Sequence, residues 1–176
     1  MQAEMGLLAL IKEDWIAHKR DCSLPGFRAI AICRFGQWRM GVSSKLLRGP
    51  LSVVYKMLFR RARAVYGIEI PYTVNLGRRV IIEHQGAIVI HGSAHIGDDC
   101  IIRQGVTIGN RYTERPYDAP KLGCNVNIGA GAKLLGGITI GDGACIGANA
   151  VVVHDVPAGA TVVGIPAKII SRQQSK

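Results

Sequence analysis

LGCNVNIGAGAKLLGGITIGDGACIGANAVV, residues 122–152, carries an aliphatic residue at every sixth place: Leu122, Ile128, Leu134, Ile140, Ile146 and Val152. Gly follows most of them, and four places after each stands a small or β-branched residue: Val126, Ala132, Ile138, Ala144 and Ala150. A six-residue period fits one short strand plus one corner, and three such units close a triangular coil of about eighteen residues. The aliphatic residues point inward and stack coil on coil. Working outward, the same frame appears at Ile70, Leu76 and Ile82, and then, two residues out of step, at Ile90, Ile96, Ile102 and Ile108. Solenoids of this period coil left-handed, an exception to the usual right-handed crossover. The expected fold is a left-handed parallel β-helix over residues 67–170, with thirteen units making about four coils.

Before Gly67 the period is helical. Leu51, Val54, Tyr55, Leu58, Ala62, Val65 and Tyr66 form one stripe. Phe27, Ile30, Ala31, Phe35 and Trp38 form a second, and Leu7, Leu8, Ile11, Trp15 and Ile16 a third. Pro25 and Pro50 suit first helical turns, and Gly67 suits a left-handed cap. Residues 1–66 therefore read as a small N-terminal α-helical region of three helices.

Composition narrows the function classes. With 48% hydrophobic and 19% charged residues the chain is not generally disordered. No uncharged stretch approaches the roughly 18 residues of a membrane span. The apolar run Leu7–Ile11 is too short for a signal peptide and acidic residues follow it, so a cytoplasmic location is expected. Five cysteines without a C-x-x-C pair indicate neither a disulfide framework nor a zinc knuckle. Net charge is +10, with 12 Lys and Arg against four acids in residues 1–66. Aromatic platforms for nucleic acid are missing, so no nucleic-acid partner is expected. The set Lys56, Arg60, Arg61 and Arg63 reads either as a solvated helix face or as an attraction to an anionic membrane surface.

A regular solenoid has no pocket, so breaks in the period mark candidate sites. The first break holds Ile82-Glu83-His84-Gln85-Gly86-Ala87, with the two extra residues assigned to Ile88-Val89. The second is a protruding loop, residues 110–121. His84 and Gln104 occupy equivalent positions one coil apart, which sets a histidine beside the coil that releases the loop.

Glu83-His84, Gln104-Gly105-Val106-Thr107-Ile108-Gly109, Ile128-Gly129-Ala130-Gly131-Ala132-Lys133 and Gly164-Ile165-Pro166-Ala167-Lys168 resemble the serine-acetyltransferase branch of hexapeptide acyltransferases. In particular the chain looks like the short O-acetyltransferases of exopolysaccharide (colanic-acid-type) synthesis. The resemblance implies that His84 is the general base of an acetyl-CoA-dependent transfer, and that Glu69 orients it in place of the family's Asp. Free imidazole titrates near pH 6.5, which suits the task, at about 10² to 10⁴-fold in rate. Backbone N–H groups at Gly109 and Asn110 are implied as oxyanion donors. Ala130 and Ala148 match positions lining the pantetheine groove, and Lys121, Lys168 and Arg172 could meet CoA phosphates. The resemblance further implies a homotrimer with sites between subunits and no metal.

Departures from that pattern concern the acceptor. Asp118 and Ala119 stand where serine acetyltransferases carry an Arg and a His that serve the amino acid, and Glu83 stands for an Asp. The tail 171–176 lacks the terminal Ile with which those enzymes dock onto a partner. The expected activity is therefore O-acetylation of a sugar or exopolysaccharide hydroxyl, with Glu83, Gln104, Asp118 and Ala119 lining the acceptor. Three alternatives stand beside it: serine O-acetyltransfer with an altered acceptor site, a zinc-dependent carbonic-anhydrase-like protein, and a noncatalytic scaffold. The zinc reading needs three converging imidazoles, and His84, His91 and His95 lie too close together in sequence to match that family's spacing.

Overall fold

A computed structural model describes residues 6–172. Short parallel strands stack into a three-sided β-helix preceded by three α-helices. The first face holds five strands: Ile68–Glu69, Ile88–Ile90, Thr107–Gly109, Lys133–Leu135 and Val151–Val152. The second runs Asn75–Leu76, His95–Ile96, Lys121–Leu122, Thr139–Ile140. The third starts at Ile81–Glu83 and ends at Ala160–Val163, on which Lys168–Arg172 lies antiparallel. Every inward ladder residue read from the six-residue frame is buried, from Ile70 to Val152.

Five coils stand where about four were expected. The additional coil comes from Val156 and Val162, which stack on Ile140 and Ile146 in a coil of 16 residues. That is two short of the regular 18 seen between Ile128 and Ile146, so a fixed period steps past it. The coil carrying the loop is 26 residues long, from Ile102 to Ile128. Close stacking needs glycine at the edge between the second and third faces: a Cβ on Gly97 would collide with the Gly123 carbonyl.

Expectations about all three helices are corrected. Helix α1 (Leu7–Ala17) does not bury its apolar stripe; Leu8 is 81% exposed, and Asp14 is the buried residue of the helix. Helix α2 (Pro25–Met40) buries Phe27 and Ile30 of its expected stripe, but packs also through Gly26, Ala29, Cys33 and Gly36, while Trp38 stays half exposed. Small residues mark this face because the helix lies against backbone: a Cβ on Gly26 would strike the Ile82 carbonyl. Helix α3 (Lys45–Arg61) continues through a π turn, Ala62–Tyr66, to Gly67 in the left-handed region at φ 62°. Of its expected stripe only Tyr55 and Ala62 are buried. Arg39 is held between the Tyr55 and Tyr72 rings at 4.4 and 4.5 Å.

All five cysteines are free thiols, and their surroundings separate them. Burial pushes the Cys33 thiol up to about 12 and the Cys100 thiol up to about 11, whereas Cys22 and Cys124 are exposed. Titration of the native protein with a chromogenic disulfide reagent at pH 8 is expected to modify Cys22 and Cys124 quickly. Cys33 and Cys100 should react only after denaturation; rapid modification of Cys33 would mean that α2 does not stay docked, and that of Cys100 that the coils open.

Candidate active site

The coil from Ile82 to Ile102 has 20 residues, and the structure shows where the two extra ones go. Glu83 pairs with Arg103 and Val89 with Thr107, so four residues, His84–Ala87, turn the corner that Gln104–Gly105 turn one coil on. The excess is therefore at His84–Ala87 and not at Ile88-Val89. Ile88 and Ile90 are buried rungs of the first face, which leaves the corner as the place where residues can be added. The added length makes His84, Gly86 and Ala87 left-handed, with φ 65°, 107° and 52°. Left-handed backbone at a non-glycine residue costs on the order of 1–2 kcal/mol, and here it carries the His84 side chain outward into solvent.

One edge of the solenoid, between its third and first faces, collects several of the candidate residues. Along it Gly105 N–H donates to the Gly86 carbonyl, Gly131 N–H to Gln104, and Asn149 N–H to Ala130, each at 2.8 to 2.9 Å. His84, Gln104, Ala130 and Ala148 thus stand in line, one per coil. At roughly 4.8 Å per coil the line is about 14 Å long, room for an extended chain-like ligand. Glu83 sits at its base, its carboxylate 2.9 Å from Arg103 Nε, and Arg103 also reaches Asn127.

Two hollows flank His84. One of about 350 Å³ is lined by His18, Lys19, Asp21, Leu24, Glu83 and His84 among others; one of about 330 Å³ lies between His84, Gln85 and Pro25-Gly26. His18 is buried and bridges the two parts of the chain: its Nδ1 is 2.7 Å from the Asp14 carbonyl, and its Nε2 accepts from Ile82 N–H at 3.3 Å. The Asp21 carboxylate accepts from Ser23 N–H, and the Ser23 hydroxyl together with that N–H holds its pKa below the ordinary value. Sequence reasoning missed Lys19 and Asp21. Their only local signal is the charged run Lys19-Arg20-Asp21 after α1, where Lys19 and Arg20 turn left-handed at φ 58° and 60°.

Other candidates lie elsewhere on the protomer. Glu69 pairs with Arg63 at 3.1 Å in a separate hollow of about 530 Å³ beside Arg60, and no hydrogen bond joins it to His84 among the described residues. Gly109 ends the first-face strand and Asn110 follows it, so the loop departs from the next edge, between the first and second faces. The loop thus shares a coil boundary with His84 but not an edge, because a whole strand separates the two corners. Asp118 faces Arg115 at 3.8 Å, Ala119 is buried, and the loop covers its own hollow of about 230 Å³ with Arg111 and Tyr112. Lys121 pairs in register with His95 and Thr139 on the second face, and Lys168 lies exposed on the final strand. The Arg172 side chain and the tail 173–176 lie outside the described residues. Among the described residues no group of three His, Cys, Asp or Glu side chains is placed to hold a metal ion.

Comparison with known proteins identifies the branch. Residues 119–154 match the family model "Bacterial transferase hexapeptide (six repeats)". The chain is 40% identical to the serine acetyltransferase of Synechococcus elongatus over 148 residues, 84% of this chain and 58% of that protein. It is 43% identical to that of Helicobacter pylori J99 over 121 residues, 69% of this chain and 71% of that protein. Among solved structures it resembles serine acetyltransferase from Vibrio cholerae with a TM-score of 0.80 at 30% identity, covering 96% of this chain and 67% of the other. The coenzyme A complex from Brucella abortus matches with a TM-score of 0.79 at 29% identity, over 95% of this chain and 68% of that one. The chain spans about three fifths of the length of the Synechococcus elongatus and Staphylococcus xylosus relatives. No likeness particular to exopolysaccharide acetyltransferases emerges from these matches. A five-coil six-residue solenoid, a histidine displayed at its inserted corner and this degree of identity lead to one assignment: the chain belongs to the serine acetyltransferase family of hexapeptide-repeat transferases.

Proposed function

We propose that the chain is an acetyl-CoA-dependent O-acetyltransferase with His84 as general base and L-serine as the acceptor that its relatives' names point to. The observation that carries the reading is the line of His84, Gln104, Ala130 and Ala148 on one edge. An extended thioester laid along that edge brings its carbonyl to the imidazole. His84 takes the proton from the acceptor hydroxyl as the oxygen attacks the carbonyl carbon. The tetrahedral oxyanion collapses, the C–S bond breaks, and the imidazolium returns its proton to the departing thiolate. Gly109, Asn110 and the loop stand at a different edge of the same protomer. We assign their contribution to a neighbouring copy in a homotrimer, whose loop would reach across to the His84 edge and bring the implied oxyanion donors with it.

A second acceptor, a sugar or exopolysaccharide hydroxyl, is favoured by one specific observation. The positions implied to read an amino acid are spent on local contacts: Glu83 on Arg103, Asp118 on Arg115, and Ala119 in the core. A serine carboxylate arriving at Asp118 would meet like charge. Acceptor profiling with labelled acetyl-CoA separates the two. Transfer to L-serine well above nucleotide-linked and lipid-linked sugars supports the first reading, and the reverse order supports the second. Hydrolysis of acetyl-CoA with no acceptor dependence would remove both.

The donor groove has its own test. Ala130→Trp places a bulky ring on the edge between Gln104 and Ala148, and coenzyme A affinity measured by calorimetry is expected to fall at least about tenfold. Unchanged affinity would move the donor off this edge.

A further inference from the structure

Helix α3 presents two apolar faces. One, with Tyr55 and Ala62, is buried against the rest of the protein. The other points away: Leu46, Leu47, Val53, Val54 and Met57 are 88%, 64%, 58%, 45% and 66% exposed. At 3.6 residues per turn these five fall within an arc of about 120°, on the side opposite Tyr55. Such a continuous stripe is unusual on a surface that meets only water.

The charges around the stripe say what covers it. No Asp or Glu occurs between Asp21 and Glu69, while α3 itself carries Lys45, Arg48, Lys56, Arg60 and Arg61. Lys45, Lys56 and Arg60 lie together along one margin of the stripe. Arg63 is committed to Glu69, but no carboxylate among the described residues forms an ion pair with Lys45, Lys56 or Arg60. A second copy laid on this face would set one acid-free cationic helix against another, with like charges opposed. An anionic lipid surface meets both halves of the pattern. Insertion across a bilayer is a different matter: no described helix is long and apolar enough to cross a membrane.

We infer that α3 docks this protein on an anionic membrane, with Leu46, Leu47, Val53, Val54 and Met57 in the acyl boundary and Lys56 and Arg60 on headgroup phosphates. The helix runs through the π turn and Gly67 directly into the coil that carries His84. Docking therefore holds the catalytic end of the solenoid close to the lipid. The inference stands independently of which acceptor is used.

Sedimentation of the full chain with vesicles tests it. Binding is expected to phosphatidylglycerol–phosphatidylcholine vesicles, and little to phosphatidylcholine alone. Leu47→Glu/Met57→Glu is expected to abolish it. Lys56→Gln/Arg60→Gln should weaken it about twenty- to thirtyfold, at roughly fivefold per cation. All substituted side chains are exposed, so circular dichroism should match the parent, and acetyl transfer in lipid-free solution is read separately. Failure of the parent to bind anionic vesicles, equal binding to neutral ones, or undiminished binding by both variants would each overturn the inference. So would a fall in oligomeric state for Leu47→Glu/Met57→Glu without any vesicle binding by the parent, which would make a second copy the occupant.

Discussion

His84→Ala is expected to lower turnover at least about a hundredfold while leaving coenzyme A affinity nearly unchanged. The size follows from general-base catalysis, worth about 10² to 10⁴-fold. The selectivity follows from geometry. His84 stands at the lower end of the edge, in an exposed four-residue corner, and the donor is held by the coils above it at Ala130 and Ala148. The corner survives truncation, because Gly86 keeps its hydrogen bond from Gly105 and the buried rungs Ile82 and Ile88 are untouched. Stopped-time assays with saturating donor and calorimetric titration with coenzyme A provide the two readouts. His84→Gln keeps a polar side chain of similar reach but no base, so it should fail equally. Retained turnover in either variant would place the base elsewhere. Loss of coenzyme A binding in step with turnover would mean the histidine holds the donor rather than deprotonating the acceptor.

How much of this was legible beforehand depended on whether a feature has a one-dimensional signature. The ladder Leu122–Val152 was, because its coils are three sixes long and each rung is aliphatic. The coils of 20, 26 and 16 residues were only partly so. An insertion shows in sequence as a phase shift, but nothing in the phase says which corner absorbs it. Burial of Ile88 and Ile90 decides that it is the corner of His84. The loop's edge was hidden for the same reason: Asn110 follows His84 closely in coil order, yet one whole face lies between them. The helices were misread differently. Apolar bulk was taken to mark the packed side, whereas α2 docks through Phe27 and Ile30 together with glycine, alanine and cysteine, and the bulk of α3 points outward. Lys19 and Asp21 reach the site only through tertiary folding of α1.

Arg34→Ala should destabilise the protein by about 3–5 kcal/mol and lower its melting temperature by roughly 10 °C. Arg34 and Asp14 are 3% and 1% exposed and pair at 2.9 Å, and the guanidinium also donates to the carbonyls of Leu76 and Gly77. One side chain thereby ties α1, α2 and the first coil together. Removing it strands a carboxylate and two carbonyls away from water, a larger penalty than the net value of the pair. The sign of the pH response identifies the cause. Burial holds the Asp14 pKa above its ordinary value, against the lowering effect of Arg34. A carboxyl with a raised folded pKa costs stability as pH rises past its unfolded value near 4, and without Arg34 that cost grows. The variant's deficit should therefore widen between pH 5 and pH 8, and Asp14→Leu on the Arg34→Met background should restore much of the loss. A pH-independent deficit would assign the effect to packing alone. There is also a functional consequence, since α1 delivers His18 and Lys19 to the cavity beside His84. Below its melting temperature the Arg34→Ala enzyme should show a raised acceptor KM with kcat less affected. The opposite split would mean that this wall does not contact the acceptor.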